Sequence, residues 1–132
     1  MDQMTPQDIV KRSREVKESG ADWKKMYAAL AQMVEDGTHR IMRSGDSLFL
    51  YRLIGEGEAQ MFIISAEPYK ELLRSMKNFA KAMDKAGFTK VYGETHDINI
   101  IRLVERMGYP MTVEKLGKDD KGRQIYRGTV NV

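Results

Sequence analysis

The sequence comprises 132 residues with a formal net charge of +3, and 42% of the residues are hydrophobic and 31% charged. This length and balance predict one globular domain, residues 1–132, and exclude a disordered chain. Because the sequence has no cysteine, a disulfide scaffold, a thiolate metal site and a cysteine nucleophile are excluded.

Two helices are predicted near the N-terminus. Thr5 followed by Pro6 is typical of an N-cap and a first helical residue, so a helix is expected from there to about Ser19. Asp22 is the expected N-cap of a second helix, which Gly37 ends. The apolar residues of this second helix recur at helical spacing and predict one face packed on a core.

The hydrophobic period then changes to two, which predicts strands. Strands are expected over 38–43, 48–54 and 59–65, separated by short turns rich in glycine. Such short turns join antiparallel neighbours, so these strands form a meander.

The second half alternates helices and strands. Helices are predicted over 68–87 and 98–107, and strands over 90–95, 111–116 and 124–130. The predicted order is therefore ααβββαβαββ. Because a strand–helix–strand crossover is right-handed and joins parallel strands, we expect the third and fourth strands to be parallel neighbours. The predicted fold class is α/β (α+β), with a mixed, mostly antiparallel six-stranded sheet and helices on both faces.

A set of large apolar side chains is predicted to form the core because of its spacing on these elements. Its members are Trp23, Met26, Leu30, Phe62, Ile64, Leu72, Met76, Phe79, Leu103 and Met107.

The element order resembles the GNAT acyltransferase superfamily from about residue 8 to the C-terminus. The most specific local match is the strand KVYGET, followed after His96 and Asp97 by a helix that ends in Leu-Val-Glu-Arg-Met-Gly-Tyr at Leu103 to Tyr109. This stretch is similar to the fifth strand and following helix of that family. The resemblance implies a GNAT-like fold and, in an active member, the transfer of an acyl group from acyl-CoA to an amine.

Three features depart from the family pattern. The glycine-rich loop that binds the CoA pyrophosphate corresponds to residues 65–71, which contain no glycine but include Glu67 and Pro68. The tyrosine that protonates the departing thiolate in many members corresponds to Val104. Only four residues precede Thr5, so the family's first strand is expected to be absent or very short.

If the chain is active, the resemblance implies Glu94 and His96 as candidate bases. If it binds acetyl-CoA, the implied cofactor-binding residues are Ile63, Ser65, Lys70 and Arg74. The departures instead favour a chain without a cofactor and without catalysis. The C-terminal half also resembles small phage-encoded virion proteins, which favours a structural or assembly protein that docks on a protein partner or on itself.

One face of the third predicted helix is basic, and the second half of the chain has thirteen basic and nine acidic residues. A basic face binds anionic partners, so nucleic acid or an acidic protein is a third possibility. The predicted partner-binding residues are Lys70, Arg74, Lys77, Lys81 and Lys85.

No metal site is predicted, because the only two histidines lie on different strands. The longest apolar run, residues 61–64, is far too short to cross a bilayer, and the N-terminus has no leader-like segment. We therefore expect a cytoplasmic protein, or a virion protein if phage-encoded. Three functions stay open: an assembly protein, a CoA-dependent N-acyltransferase with a variant cofactor loop, and a binder of anionic partners.

Overall fold

The computed structural model describes residues 3–132. Its elements follow the predicted order with one additional helix. The helices and strands are α1 (Pro6–Arg12), α2 (Arg14–Ser19), α3 (Trp23–Glu35), β1 (Arg40–Ser44), β2 (Ser47–Gly55), β3 (Glu58–Ser65), α4 (Tyr69–Lys85), β4 (Lys90–Thr95), α5 (Ile98–Arg106), β5 (Met111–Lys118) and β6 (Gln124–Asn131).

The first predicted helix is broken at Ser13, which separates α1 from α2. Ser13 has an extended backbone, with φ −65° and ψ 152°. Its buried hydroxyl donates a hydrogen bond to the carbonyl of Val10 and accepts one from the amide of Val16. Serine competes in this way with the helical hydrogen bonds, so the prediction of one continuous helix was wrong.

The sheet has six strands in the order β1-β2-β3-β4-β6-β5. Only β3 and β4 are parallel, and the other neighbours are antiparallel. This arrangement confirms the predicted mixed sheet and the parallel pair. The first strand starts at Arg40 rather than at residue 38, because the Thr38 hydroxyl and the His39 amide donate hydrogen bonds to the last turn of α3, at the carbonyl of Met33.

Helices cover both faces of the sheet. On one face, α4 and α5 pack on β2, β3, β4 and β6, and Phe79 of α4 stacks on Phe49 of β2 with ring centroids 4.6 Å apart. On the other face, α1 and α3 pack on Leu48 and Leu50 of β2 and on Ile64 of β3. Since successive side chains of a strand alternate between faces, β2 and β3 contribute to both cores.

Most of the predicted core residues are buried, with exceptions on three elements. Phe62 is 44% exposed, so its assignment to the core was wrong. Its strand lies inside the sheet, but α1 and α3 cover Ile64 and leave Phe62 at the rim of a cleft. Trp23, Met26 and Met107 are only half-buried. Among residues 3–132, no helix is long and apolar enough to cross a membrane.

Candidate functional site

The parallel strands β3 and β4 pair for only half of their length. Their register runs from Glu58–Lys90 to Met61–Gly93 and then ends, although β3 continues to Ser65 and β4 to Thr95. Over these last residues β3 remains paired with β2, and β4 remains paired with β6. Each strand therefore follows its antiparallel neighbour, and the two halves of the sheet separate. The parallel pair thus splays apart at its C-terminal end.

A cavity of about 250 Å³ opens where the strands separate. The α5 side of the cavity is apolar, and the polar groups Glu15, Glu94, Thr95 and His96 also line it. Gly93 and Gly128 widen it, because neither residue projects a side chain into it. The apolar side chains that line the cavity are Met61, Phe62, Ile63, Val91, Ile100, Ile101, Val104 and Val130.

The edge of β3 that faces the cavity lacks a strand partner beyond Met61. The amide of Ser65 on this edge donates to the Glu15 carboxylate, with a distance of 3.4 Å between nitrogen and oxygen. Because backbone groups alternate between the two edges of a strand, the amide and carbonyl of Ile63 face the same side as those of Ser65. The two predicted cofactor residues of β3 thus lie together on this free edge, although no contact tests their role.

The loop between β3 and α4 leads to an uncapped helix start. Pro68 is the N-cap residue of α4, and no side chain accepts a hydrogen bond from the first-turn amides. Because proline has no amide hydrogen, three first-turn amides are left there, those of Tyr69, Lys70 and Glu71, and together with the helix dipole they attract anions. Lys70 and Arg74, also predicted to bind the cofactor, are exposed on the first turns of α4.

The side chain and the amide of Glu67 are both held by hydrogen bonds to serine hydroxyls. Its carboxylate oxygen Oε1 accepts hydrogen bonds from the hydroxyls of Ser47 at 2.5 Å and Ser75 at 2.6 Å. Its amide donates to the hydroxyl of Ser65. The carboxylate is therefore hydrogen-bonded to β2 and to the second turn of α4.

Arg14 of α2 brings a positive charge to the same loop. Its Nη2 donates to the Glu67 carbonyl at 2.7 Å, and its guanidinium carbon lies 4.1 Å from the centre of the Tyr69 ring. Its Nη1 is buried without a hydrogen-bond partner among the described residues. Sequence reasoning missed this residue, because position 14 gives no local sign that α2 folds back against the end of β3.

The loops that follow β3 and β4 are joined at the open end of the cleft. The hydroxyl of Tyr69, the first residue of α4, donates to the Asp97 carboxylate at 2.6 Å. Asp97 is also the N-cap of α5, since it accepts from the amide of Asn99. Burial and the hydrogen bond to Asp97 raise the pKa of Tyr69, so this phenol stays protonated at neutral pH.

The predicted bases Glu94 and His96 both line the cavity and have ionic partners. Glu94 is paired with Arg127, and their closest oxygen and nitrogen are 3.5 Å apart. The Nε2 of His96 lies 3.0 Å from Glu18 and 3.1 Å from Arg123. Since one ring nitrogen cannot donate to Glu18 and accept from Arg123 at once, its protonation decides which contact is a hydrogen bond.

Glu15 is a third carboxylate at the cavity, and sequence reasoning missed it. It stands in the first turn of α2, where an acidic residue is explained by the helix dipole alone. Only the tertiary structure places it against Ser65. Burial raises the pKa of Glu15 to about 7, and the nearby Arg14 and the backbone hydrogen bonds offset this rise only in part.

The basic face of α4 lies outside the cavity, with its cationic residues exposed. These are Lys70, Arg74, Lys77, Lys81 and Lys85, and their role in binding a partner stays a prediction. Val104, at the position of the family's tyrosine, is 8% exposed and lines the cavity. A valine cannot donate a proton there.

Three solved structures that share this architecture are named as acetyltransferases. The ribosomal-protein-S18-alanine N-acetyltransferase from Escherichia coli aligns over 99% of this chain and 92% of its own, with a TM-score of 0.61 and 14% identity. The chain has the GNAT acyltransferase fold. A spermidine N-acetyltransferase chimera from Vibrio cholerae gives a TM-score of 0.61 at 12% identity, over 83% of this chain and 76% of that chain. A probable GNAT-family acetyltransferase from Chromobacterium violaceum gives 0.63 at 11% identity, over 83% and 68%.

These likenesses are structural, since no protein-family model and no curated protein matches the sequence. They contradict the expectation of a non-catalytic structural or assembly protein, because the structural neighbours of this GNAT fold are N-acetyltransferases. They also give no support to a phage or virion origin.

Proposed function

We propose that this protein is a CoA-dependent N-acyltransferase with a variant cofactor loop, acting on an amine. The observation that carries the proposal is the separation of β3 and β4 after Met61 and Gly93, with an apolar cavity between them. A free strand edge offers hydrogen bonds to an extended chain that contains amides, such as the pantetheine arm of CoA. The apolar lining suits an acyl thioester.

The residues at the cleft are compatible with acyl-CoA. Ile63 would bind the arm through its amide and carbonyl on the free edge of β3, and Ser65 through its carbonyl, since its amide donates to Glu15. The first-turn amides of α4 would bind the phosphates. Pro68 removes one amide from this loop, but the orphaned Nη1 of Arg14 supplies a positive charge beside it. Lys70 and Arg74 add exposed positive charge at the helix start. Arginine thus takes the place of the missing glycine-rich loop.

Acyl transfer by such a cleft depends mainly on positioning. The cofactor supplies an activated thioester, and the cleft holds its carbonyl where an amine can approach from the open side of the sheet. The apolar lining of the cleft would limit the access of water to the thioester. The acceptor class is an amine, as in the ribosomal-protein-alanine and spermidine N-acetyltransferases that share the fold.

Binding of acetyl-CoA tests the proposal directly. At one hundred times its dissociation constant, a ligand stabilises the folded state by about 2.7 kcal/mol, which raises the melting temperature by about 10 °C in a chain of this size. The Gly93→Val variant should abolish this shift. An added Cβ has its nearest neighbours on Met61, at 3.7 Å, which is an ordinary contact distance, and the methyl groups of valine would occupy part of the cavity.

The matched control is Thr129→Val on β6, a position that does not line the cavity. It should keep the full shift. No shift for the wild type at millimolar acetyl-CoA would refute the proposed function.

A further inference from the structure

Within residues 3–132, three side chains that can accept a proton line the cavity. They are Glu15, Glu94 and His96. They differ in their exposure and in their partners, and these differences decide which of them is available to a substrate amine.

Glu94 and His96 are both engaged by other charged side chains. Glu94 is exposed, and the Arg127 guanidinium and solvent compete for its lone pairs. The Nε2 of His96 is held between Glu18 and Arg123, at 3.0 and 3.1 Å. An amine at Glu94 would meet an exposed carboxylate whose charge Arg127 and solvent already offset, and an amine at the Nε2 of His96 would have to displace Glu18 or Arg123.

Glu15 has a different environment. It is half-buried, and it approaches the unpaired edge of β3 from α2. The amide of Ser65 engages its Oε2 at 3.4 Å, and a carboxylate has lone pairs enough to accept further hydrogen bonds. The break at Ser13 fixes this approach, because the Ser13 hydroxyl caps α2 and sets where its first turn begins. The carboxylate thus stands at the cavity wall beside the strand edge that would hold the cofactor.

The geometry points to Glu15 as the general base of the acyl transfer, an assignment that rests on the proposed acyltransferase function. Proton transfer is most effective when the pKa of the base lies near the working pH. Burial raises the pKa of Glu15 to about 7, which meets this condition.

The acceptor nitrogen loses two protons during the reaction. Glu15 first takes one proton from the acceptor's ammonium group and releases it to solvent. The nitrogen lone pair then attacks the thioester carbonyl carbon, a C–N bond forms, and the C–S bond breaks with its electron pair leaving on sulfur. The second proton of the nitrogen passes through Glu15 and water to the thiolate, since Val104 has no proton to give.

The charged groups around Glu15 set the expected pH dependence. On its own helix, Arg14 lowers its pKa and Glu18 raises it, and both effects are smaller than that of burial. Across the cavity, the titratable groups of β4 and its following loop are Glu94 and His96. A fall in activity below about pH 7 is therefore expected from protonation of Glu15.

The test measures thiol released from acetyl-CoA with spermidine, with an alanine-initiated peptide and with water alone as acceptor. The Glu15→Gln variant keeps an oxygen that can accept from the Ser65 amide but cannot take a proton. We expect kcat to fall about 100- to 10,000-fold, with the dissociation constant of acetyl-CoA within threefold of the wild type. The acid limb of kcat/KM should also disappear. The loss for the rival candidate, Glu94→Gln, should be much smaller. The matched control is Glu35→Gln on the exposed surface of α3, outside the cavity, and it should keep the full activity.

A second measurement does not depend on turnover. The side-chain carboxyl carbon of Glu15, followed by NMR in the unliganded protein, should titrate near pH 7. Two kinetic results would overturn the assignment: a kcat of Glu15→Gln within threefold of the wild type, or a larger loss for Glu94→Gln. It is also overturned if this carbon titrates near pH 4.5, or if a wild type that binds acetyl-CoA releases no thiol. If the wild type does not bind acetyl-CoA, the proposed function itself fails.

Discussion

The buried Glu15 carboxylate should make the stability of this protein depend on pH in an unusual direction. Burial raises its pKa from an ordinary 4.5 to about 7 in the folded state, a difference of about 2.5 pKa units. At about 1.4 kcal/mol per unit, the charged form destabilises the fold by about 3 kcal/mol at pH 8. The folded state binds the proton more tightly than the unfolded state. The stability that protonated Glu15 contributes is therefore fully present below pH 4.5 and is lost as the pH rises to 7.

Substitution by glutamine removes this titration and keeps the hydrogen-bond acceptor for Ser65. We expect the Glu15→Gln variant to be more stable than the wild type by about 3 kcal/mol at pH 8 and nearly equal to it at pH 4.5. Urea denaturation followed by circular dichroism at half-unit steps of pH measures both free energies of unfolding. Their difference isolates Glu15, because all other titrating groups are common to the two proteins.

Glu18→Gln is the control, since it removes the same charge from an exposed position of the same helix. If the stability difference between the wild type and Glu15→Gln does not change between pH 4.5 and 8, the pKa of Glu15 is not raised in the folded state. A difference of equal size for Glu18→Gln would assign the effect to net charge instead.

Two further predictions concern α5 and α4. Leu103→Ala should destabilise the fold by about 2–5 kcal/mol, because the side chain is 6% exposed in the core between α5 and the sheet. Chemical denaturation measures this loss, and a value below about 1 kcal/mol would mean that α5 packs elsewhere. Reversal of Lys77, Lys81 and Lys85 to glutamate should leave the melting temperature within a few degrees, since these residues are exposed. If the basic face binds polyanions, the reversal should abolish retention on a heparin column at low salt, and unchanged retention would exclude that role.

The secondary structure of this chain was predictable because local signals agree with one another. The N-cap residues Thr5 and Asp22 each start a helix as expected. Both ends of the strand over residues 90–95 were predicted correctly. The helix before it ends close to Gly87, and Asp97 caps the helix after it. The break at Ser13 was missed because the hydrogen bonds of its hydroxyl to the carbonyl of Val10 and the amide of Val16 are seen only in the structure.

The candidate site was predictable only in part. Ile63 and Ser65 were assigned to the cofactor cleft through the resemblance, and they do lie on the free edge of β3, where their role stays a prediction. The direction of the Glu67 side chain was not predictable, because its partners Ser47 and Ser75 are on other elements. Phe62 was assigned to the core because it is a large apolar residue on an apolar strand. Whether a helix covers that position depends on the tertiary packing, and none does.

The sequence by itself determined the order of helices and strands, the parallel pair and hence the fold, because hydrophobic period, capping residues and crossover handedness are local or nearly local properties. The tertiary structure alone decided which charges meet at the cleft. Arg14 and Glu15 are separated from Glu67 and Ser65 by about fifty residues of chain, yet they contact them through hydrogen bonds. No periodicity in the sequence records a contact over that distance, and burial, which gives Glu15 its pKa, arises only when α2 packs on β3.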